Sequence, residues 1–197
     1  MLLQRSFIAF MARELAHRLG KESCEIPNEA AVREAFEILI VDELSLEDEI
    51  NAEARELLNQ YGDYMRQQRI PYQEMFQKVK RQILNERKVI SAQARGSGDR
   101  EMKLSRDKIN ELSHKLAARL PRILGVRMKK RWNDVRLDIV EILRDLLARE
   151  EAVDKAAHKK ISSQQREIPE GSEEWTLLYR RYYDEEMKRY GIDLSPV

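Results

Sequence analysis

The chain has 197 residues, 42% of them hydrophobic and 36% charged, with a formal net charge of +1. That apolar share excludes global disorder, and the near-zero balance supplies no bulk field for nucleic acid or a membrane surface. Seven Gly and five Pro are few beside so many charges, a composition that favours long amphipathic helices. Residues 1–90 carry 13 basic and 16 acidic residues, so the remainder is net positive. Cys24 is the single cysteine, which excludes an internal disulfide and a multi-cysteine metal site and fits a reducing cytoplasm. The N-terminal run is broken by Arg5 and Arg13, so neither a signal peptide nor a membrane span of about 20 apolar residues is expected.

In chain order the apolar residues recur at helical spacing. Leu3, Phe7, Phe10, Met11, Leu15 and Leu19 mark a first helix, with Gly20 as its stop. Asn28 caps a second, carrying Val32, Phe36, Leu39, Ile40 and Leu44. Ser45, followed by Glu47 and Asp48, predicts a third helix to about Gln60, with Ile50, Ala54, Leu57 and Leu58 inward. Pro71 opens a fourth with Met75, Phe76, Val79 and Ile83. Residues 91–100, SAQARGSGDR, read as a linker. Ser105 then caps a helix carrying Ile109, Leu112, Leu116 and Leu120, halted by Pro121. A sixth helix carries Val135, Ile139, Ile142, Leu143, Leu146 and Leu147, and a seventh spans about Glu150 to Ile161.

Pro169 and Gly171 suit positions i+1 and i+3 of a type I turn, and Ser172 caps an eighth helix with Glu173 and Glu174 in its first turn. Trp175, Leu178, Tyr179 and Tyr182 share one face of it, Trp175 as a buried anchor, and Gly191 with Ile192 predicts a Schellman stop.

The halves echo each other in order: ELAHRL at 14–19 with ELSHKL at 111–116, VREAFEIL at 32–39 with VRLDIVEIL from Val135, and QQRIP from Gln67 with QQREIP from Gln164. The reading is all-α: two homologous four-helix units packed as a helical bundle, without a sheet, at 1–90 and 101–197. The second unit is expected to fold alone.

The run from Lys160 to Gly191, KISSQQREIPEGSEEWTLLYRRYYDEEMKRYG, and the segment Met102 to Leu116 resemble the end and the start of the bacterial family called domain of unknown function 507. The first half is similar more distantly: it keeps ELAH and QQRIP but lacks the Pro-Glu-Gly-Ser turn and most Tyr residues. The resemblance implies a small helical cytoplasmic bacterial protein in tandem, and implies no activity, cofactor or site residue.

Glu14-x-x-His17 and Glu111-x-x-His114 invite comparison with di-iron bundles, with Glu37 and Glu141 as further ligands. The register opposes this, because His114 lies opposite Leu112 and Leu116, and polar contacts at the surface or between halves are the plainer expectation. No phosphate loop, nucleophile elbow or Ser/His/Asp signature is present, so the protein is read as a non-enzyme without a cofactor. Lys115, Arg119, Arg122, Arg127, Lys129, Lys130 and Arg131 form a run without an acid between them, followed by Trp132 and Arg136. That run is a candidate RNA or DNA surface, with Trp132 available for stacking on a base. The opposing cluster, Asp42 to Glu56, is its acidic complement, or simply the outer face of two helices. Tyr179, Tyr182, Tyr183 and Tyr190 are a candidate partner face. The leading expectation is an interaction or scaffold module for a protein partner or for itself. Nucleic-acid or ribosome binding is the alternative, and metal-dependent catalysis comes third.

Overall fold

The computed structural model describes residues 3–62, 65, 71–91, 103–164, 166 and 168–192. Six α-helices occur among them: α1 (Arg5–Glu22), α2 (Glu29–Gln60), α3 (Tyr72–Glu86), α4 (Arg106–Arg119), α5 (Trp132–Ser162) and α6 (Glu173–Arg189). A 3-10 turn, Leu120–Arg122, follows α4. Two short strands, β1 (Cys24–Glu25) and β2 (Arg127–Met128), pair antiparallel, Cys24 opposite Met128 and Glu25 opposite Arg127. The chain is therefore predominantly helical as expected, but the expectation of no sheet is corrected by this small pair.

Among the described residues the expected second and third helices are one helix, α2, and the expected sixth and seventh are one helix, α5. Neither α2 nor α5 contains Gly or Pro, so nothing stops either helix midway. Ser45 does not cap a new helix; its hydroxyl donates to the Asp42 carbonyl at 3.1 Å, inside α2. Leu57 is exposed, not inward. Gly20 is not a stop either. A Cβ there would meet only Ile26 at 3.8 Å, and the helix runs on until the Ser23 N–H closes on the Leu19 carbonyl.

The other caps form as expected. Asn28, Ser105 and Ser172 each accept a backbone N–H three residues on, at 3.1 Å. At the end of α6 the Ile192 N–H reaches the Met187 carbonyl at 2.8 Å across left-handed Gly191, a Schellman stop. The turn before α6 is corrected. Ser172 N–H donates to the Pro169 carbonyl, which puts Pro169 at position i and Gly171, with φ +84°, at i+2, the glycine position of a type II turn. Most of the linker, 92–100, and most of the QQRIP segment, 67–70, lie outside the described residues.

The main core draws on both halves. α1 packs on α2 and α5, and α4 packs on α5 and α2, closing a ring of four helices. Phe7, Met11 and Leu15 from α1 and Phe36 and Ile40 from α2 join one apolar cluster with Leu112 and Leu116 from α4 and Ile139 and Leu143 from α5. Beyond the ring, α3 packs on the far part of α2 through Ile50, Ala54, Ile83 and Leu84, and α6 packs on the far part of α5. The buried register of α2 recurs on α5 at one constant spacing. Val32, Phe36, Ile40, Leu44, Glu47 and Ile50 are matched by Val135, Ile139, Leu143, Leu147, Glu150 and Val153.

Candidate functional site

The ELAHRL and ELSHKL segments lie where the halves meet. Arg18 donates to Asp145 at 2.7 Å and to Glu14 at 3.2 Å. In the matching place Lys115 donates to Glu43 at 2.6 Å and to Glu111 at 2.8 Å. Lys108, buried, adds bonds to Glu43 and Glu111. The glutamates of both Glu-x-x-His motifs thus face cations at the junction. Their histidines are exposed on the side away from the core: His17 lies 3.6 Å from Glu29, and His114 packs against Trp132.

Two grooves flank this junction. The first, about 450 Å³ between α2 and α4, is lined by Ala35, Ile38, Leu39, Ala118, Arg119 and Arg122, and closed at one end by the Glu43–Lys115 pair and Asp42. Ile38 is 54% exposed on it. The second, about 360 Å³ between α1 and α5, is lined by Arg18, Lys21, Glu22, Ser23, Asp138, Glu141, Ile142 and Asp145. In the repeated register Ala35, Ile38 and Leu39 correspond to Asp138, Glu141 and Ile142, and Ala118 and Arg119 correspond to Lys21 and Glu22. Matched positions thus make an apolar groove with an arginine rim on one side and, on the other, a charged groove in which Glu22, Asp138, Glu141 and Asp145 stand with Arg18 and Lys21.

The basic run is divided by the fold. Lys130 donates to Asp138 at 2.8 Å and Arg131 to Asp134 at 2.9 Å, so those cations and Lys115 already face carboxylates. Arg119, Arg122, Arg127 and Lys129 make no ion pair among the described residues. Trp132 is 40% exposed at the start of α5. Between Arg122 and Arg127 the chain turns at Gly125, where φ is +83° and a Cβ would stand 2.9 Å from Pro27, so the close approach requires glycine. Leu124, 96% exposed, sits at the tip of that turn.

The candidate tyrosine face is mostly turned inward. Tyr183 is buried and its hydroxyl donates to Glu150 at 2.7 Å, which removes it from any partner face. Tyr179 is half-buried, with its hydroxyl on Asp154. Tyr182 is half-buried under Gln164 and Lys160. Tyr190 alone of the four is exposed. The reason is a stripe on α5, Glu150, Asp154 and His158, that offers acceptors and a ring to α6. Burial, with carboxylate acceptors adding to it, pushes both the Tyr179 and Tyr183 hydroxyls far above the ordinary tyrosine range. Sequence reasoning missed this stripe, although a glutamate in line with Leu147 and Val153 was its signal.

Trp175 is half-buried, not deeply buried. It stacks on Tyr179 at 5.0 Å and lies 5.3 Å from His158. Trp175→Ala is expected to cost about 1.5–3 kcal/mol, less than a fully buried aromatic, in urea unfolding followed by circular dichroism. A cost below about 0.5 kcal/mol would show that the stack holds nothing.

Three carboxylates set an acid limit. Burial would raise Glu111, Asp145 and Asp154, but their partners outweigh it: Lys115 and Lys108 for Glu111, Arg18 and Arg149 for Asp145, Tyr179 and Lys103 for Asp154. All three therefore titrate below their ordinary values. Their contribution is complete above the unfolded carboxylate range and is lost as pH falls through the depressed values. The urea midpoint should hold down to about pH 5 and drop below about pH 4, with a shallower drop in Glu111→Gln. A flat profile across that window would contradict the networks.

Among the described residues no helix is long and apolar enough to cross a membrane, and no three His, Cys, Asp or Glu side chains gather as a metal site. No curated protein matches the chain. The family described as protein of unknown function (DUF507) matches residues 1–192 as one span that runs through both halves. The chain therefore belongs to the DUF507 family.

Proposed function

We propose that this protein is a non-enzymatic interaction module of the bacterial cytoplasm, built by internal duplication, that engages a protein partner through its central four-helix ring. The duplication is supported by the shared register of α2 and α5 and by the matched Arg18–Glu14 and Lys115–Glu111 pairs, each of which reaches a carboxylate of the other half. It is supported also by the strand pair, in which Cys24 and Glu25 face Met128 and Arg127 as two copies would across a two-fold axis.

The observation that carries the functional reading is the divergence of the matched grooves. At matched positions one groove presents Ala35, Ile38 and Arg119 where the other presents Asp138, Glu141 and Glu22. A single exposed isoleucine is ordinary, but Ile38 shares its groove with Leu39, Ala35 and Ala118 beside two arginines that make no ion pair among the described residues, and it is that combination which suits a covered interface. Nucleic-acid binding is the weaker reading, because three cations of the basic run already face carboxylates. The test is copurification at native expression level with and without nuclease. A stoichiometric protein partner that survives nuclease supports the reading. A nuclease-sensitive complex turns it toward nucleic acid, and a chain that carries neither sinks it.

A further inference from the structure

We infer that the α2–α4 groove is a docking site for an acidic amphipathic helix of a partner protein. This rests on the interaction reading above and names the surface and the chemistry it selects. The groove runs along α2 from Ala35 to Asp42, about two helical turns, which matches two or three apolar anchors at i, i+3 or i+4, and i+7. Ile38 and Leu39 form the apolar floor, and Ala35 and Ala118 keep its walls low. The two ends differ in charge. At the Glu43 end Lys115 is already neutralised, by Glu43 and Glu111. At the other end Arg119 and Arg122 are exposed and make no ion pair among the described residues.

Two guanidinium groups beside an apolar floor select carboxylates that flank an apolar anchor, because each fork can take a carboxylate through two parallel hydrogen bonds. The opposite groove shows what the same scaffold looks like without that selection: Glu141 stands in place of Ile38 and Glu22 in place of Arg119. That groove also holds Lys21, and its Asp138 and Asp145 are paired with Lys130 and Arg18, but it offers an acidic helix no apolar floor and no arginine pair, so the α2–α4 side is the one selected.

The test uses the full chain and two synthetic helical peptides, each with Leu on one face and with either Glu or Lys on the other. The Glu peptide should bind and the Lys peptide should not, read by fluorescence anisotropy. Ile38→Glu and Arg119→Glu place in this groove the residue types that the opposite groove already holds, so folding is expected to survive and is checked by circular dichroism. Each should weaken the Glu peptide about tenfold or more, the loss of one interface anchor. Equal binding of the two peptides, or unchanged affinity in both folded variants, overturns the site.

A photo-crosslinking residue at position 38, and separately at exposed position 177, is then used in cells. Crosslinks to a partner from 38 support the site. Crosslinks from 177 alone overturn this groove while leaving the interaction reading intact. Crosslinks from neither, or from 38 to the chain itself, overturn the site, and the former sinks both readings.

Discussion

Lys103→Ala is expected to lower stability by about 3 kcal/mol. Glu150 is 1% exposed, and one of its oxygens takes both the Lys103 ammonium at 2.6 Å and the Tyr183 hydroxyl at 2.7 Å. Its other oxygen is buried without a hydrogen bond among the described residues. Removing the lysine leaves a buried carboxylate with one neutral donor, and breaking such a pair costs more than the pair contributes. Lys103 also bonds Asp154 at 3.0 Å, so the Tyr179 contact on α6 loosens with it. The triple variant Lys103→Met, Glu150→Leu, Tyr183→Phe removes Glu150 together with both of its donors, leaves Asp154 to Tyr179, and should recover most of the loss. Urea unfolding at neutral pH measures both. A single variant within about 0.5 kcal/mol of the parent would show that the cluster is not coupled to the fold.

Phe36→Ala is expected to cost about 3–5 kcal/mol, the range for large aromatics fully removed from a core. Its wider use is as a probe of cooperativity. Phe36 lies in the first half, while both tryptophans, Trp132 and Trp175, lie in the second. One apolar cluster joins the halves, so tryptophan fluorescence and circular dichroism should shift together. The isolated fragment 103–197 would expose the faces of α4 and α5 that α1 and α2 cover, and its melt is expected to be broad. A tryptophan transition untouched by Phe36→Ala, or a sharp melt of the fragment, would show two independently folding units.

Much of the helical layout was legible because caps and stripes are local signals. Asn28, Ser105 and Ser172 each precede an apolar stripe and each caps as read. Ser45 before Glu47 and Asp48 imitates such a cap, and only the continuing burial of Leu44, Glu47 and Ile50 shows that α2 runs through. Glu47, which bonds Lys80 at 2.7 Å, looks like first-turn acid in the sequence but is a buried partner in the fold. The grooves were hidden by a register choice. Matching the letters EIL at 37–39 with EIL at 141–143 needs a one-residue shift in the repeat, whereas the burial pattern pairs Ile40 with Leu143. Only in that unshifted register does Ile38 fall opposite Glu141. The basic run was visible as charge, but its division by Asp134 and Asp138 depends on where α5 begins.

The ring of α1, α2, α4 and α5 belongs to one polypeptide, and this governs how it behaves on dilution. A ring assembled from two separate chains would come apart as its concentration falls, whereas here the second half is always present at the effective concentration set by the tether. Unfolding midpoints should therefore be independent of protein concentration. Two identical chains must also offer the same groove twice, so a ligand for one would fill both and could crosslink copies. A single chain escapes that constraint, because each groove can change alone, and under the docking proposal the expected stoichiometry is one ligand per chain.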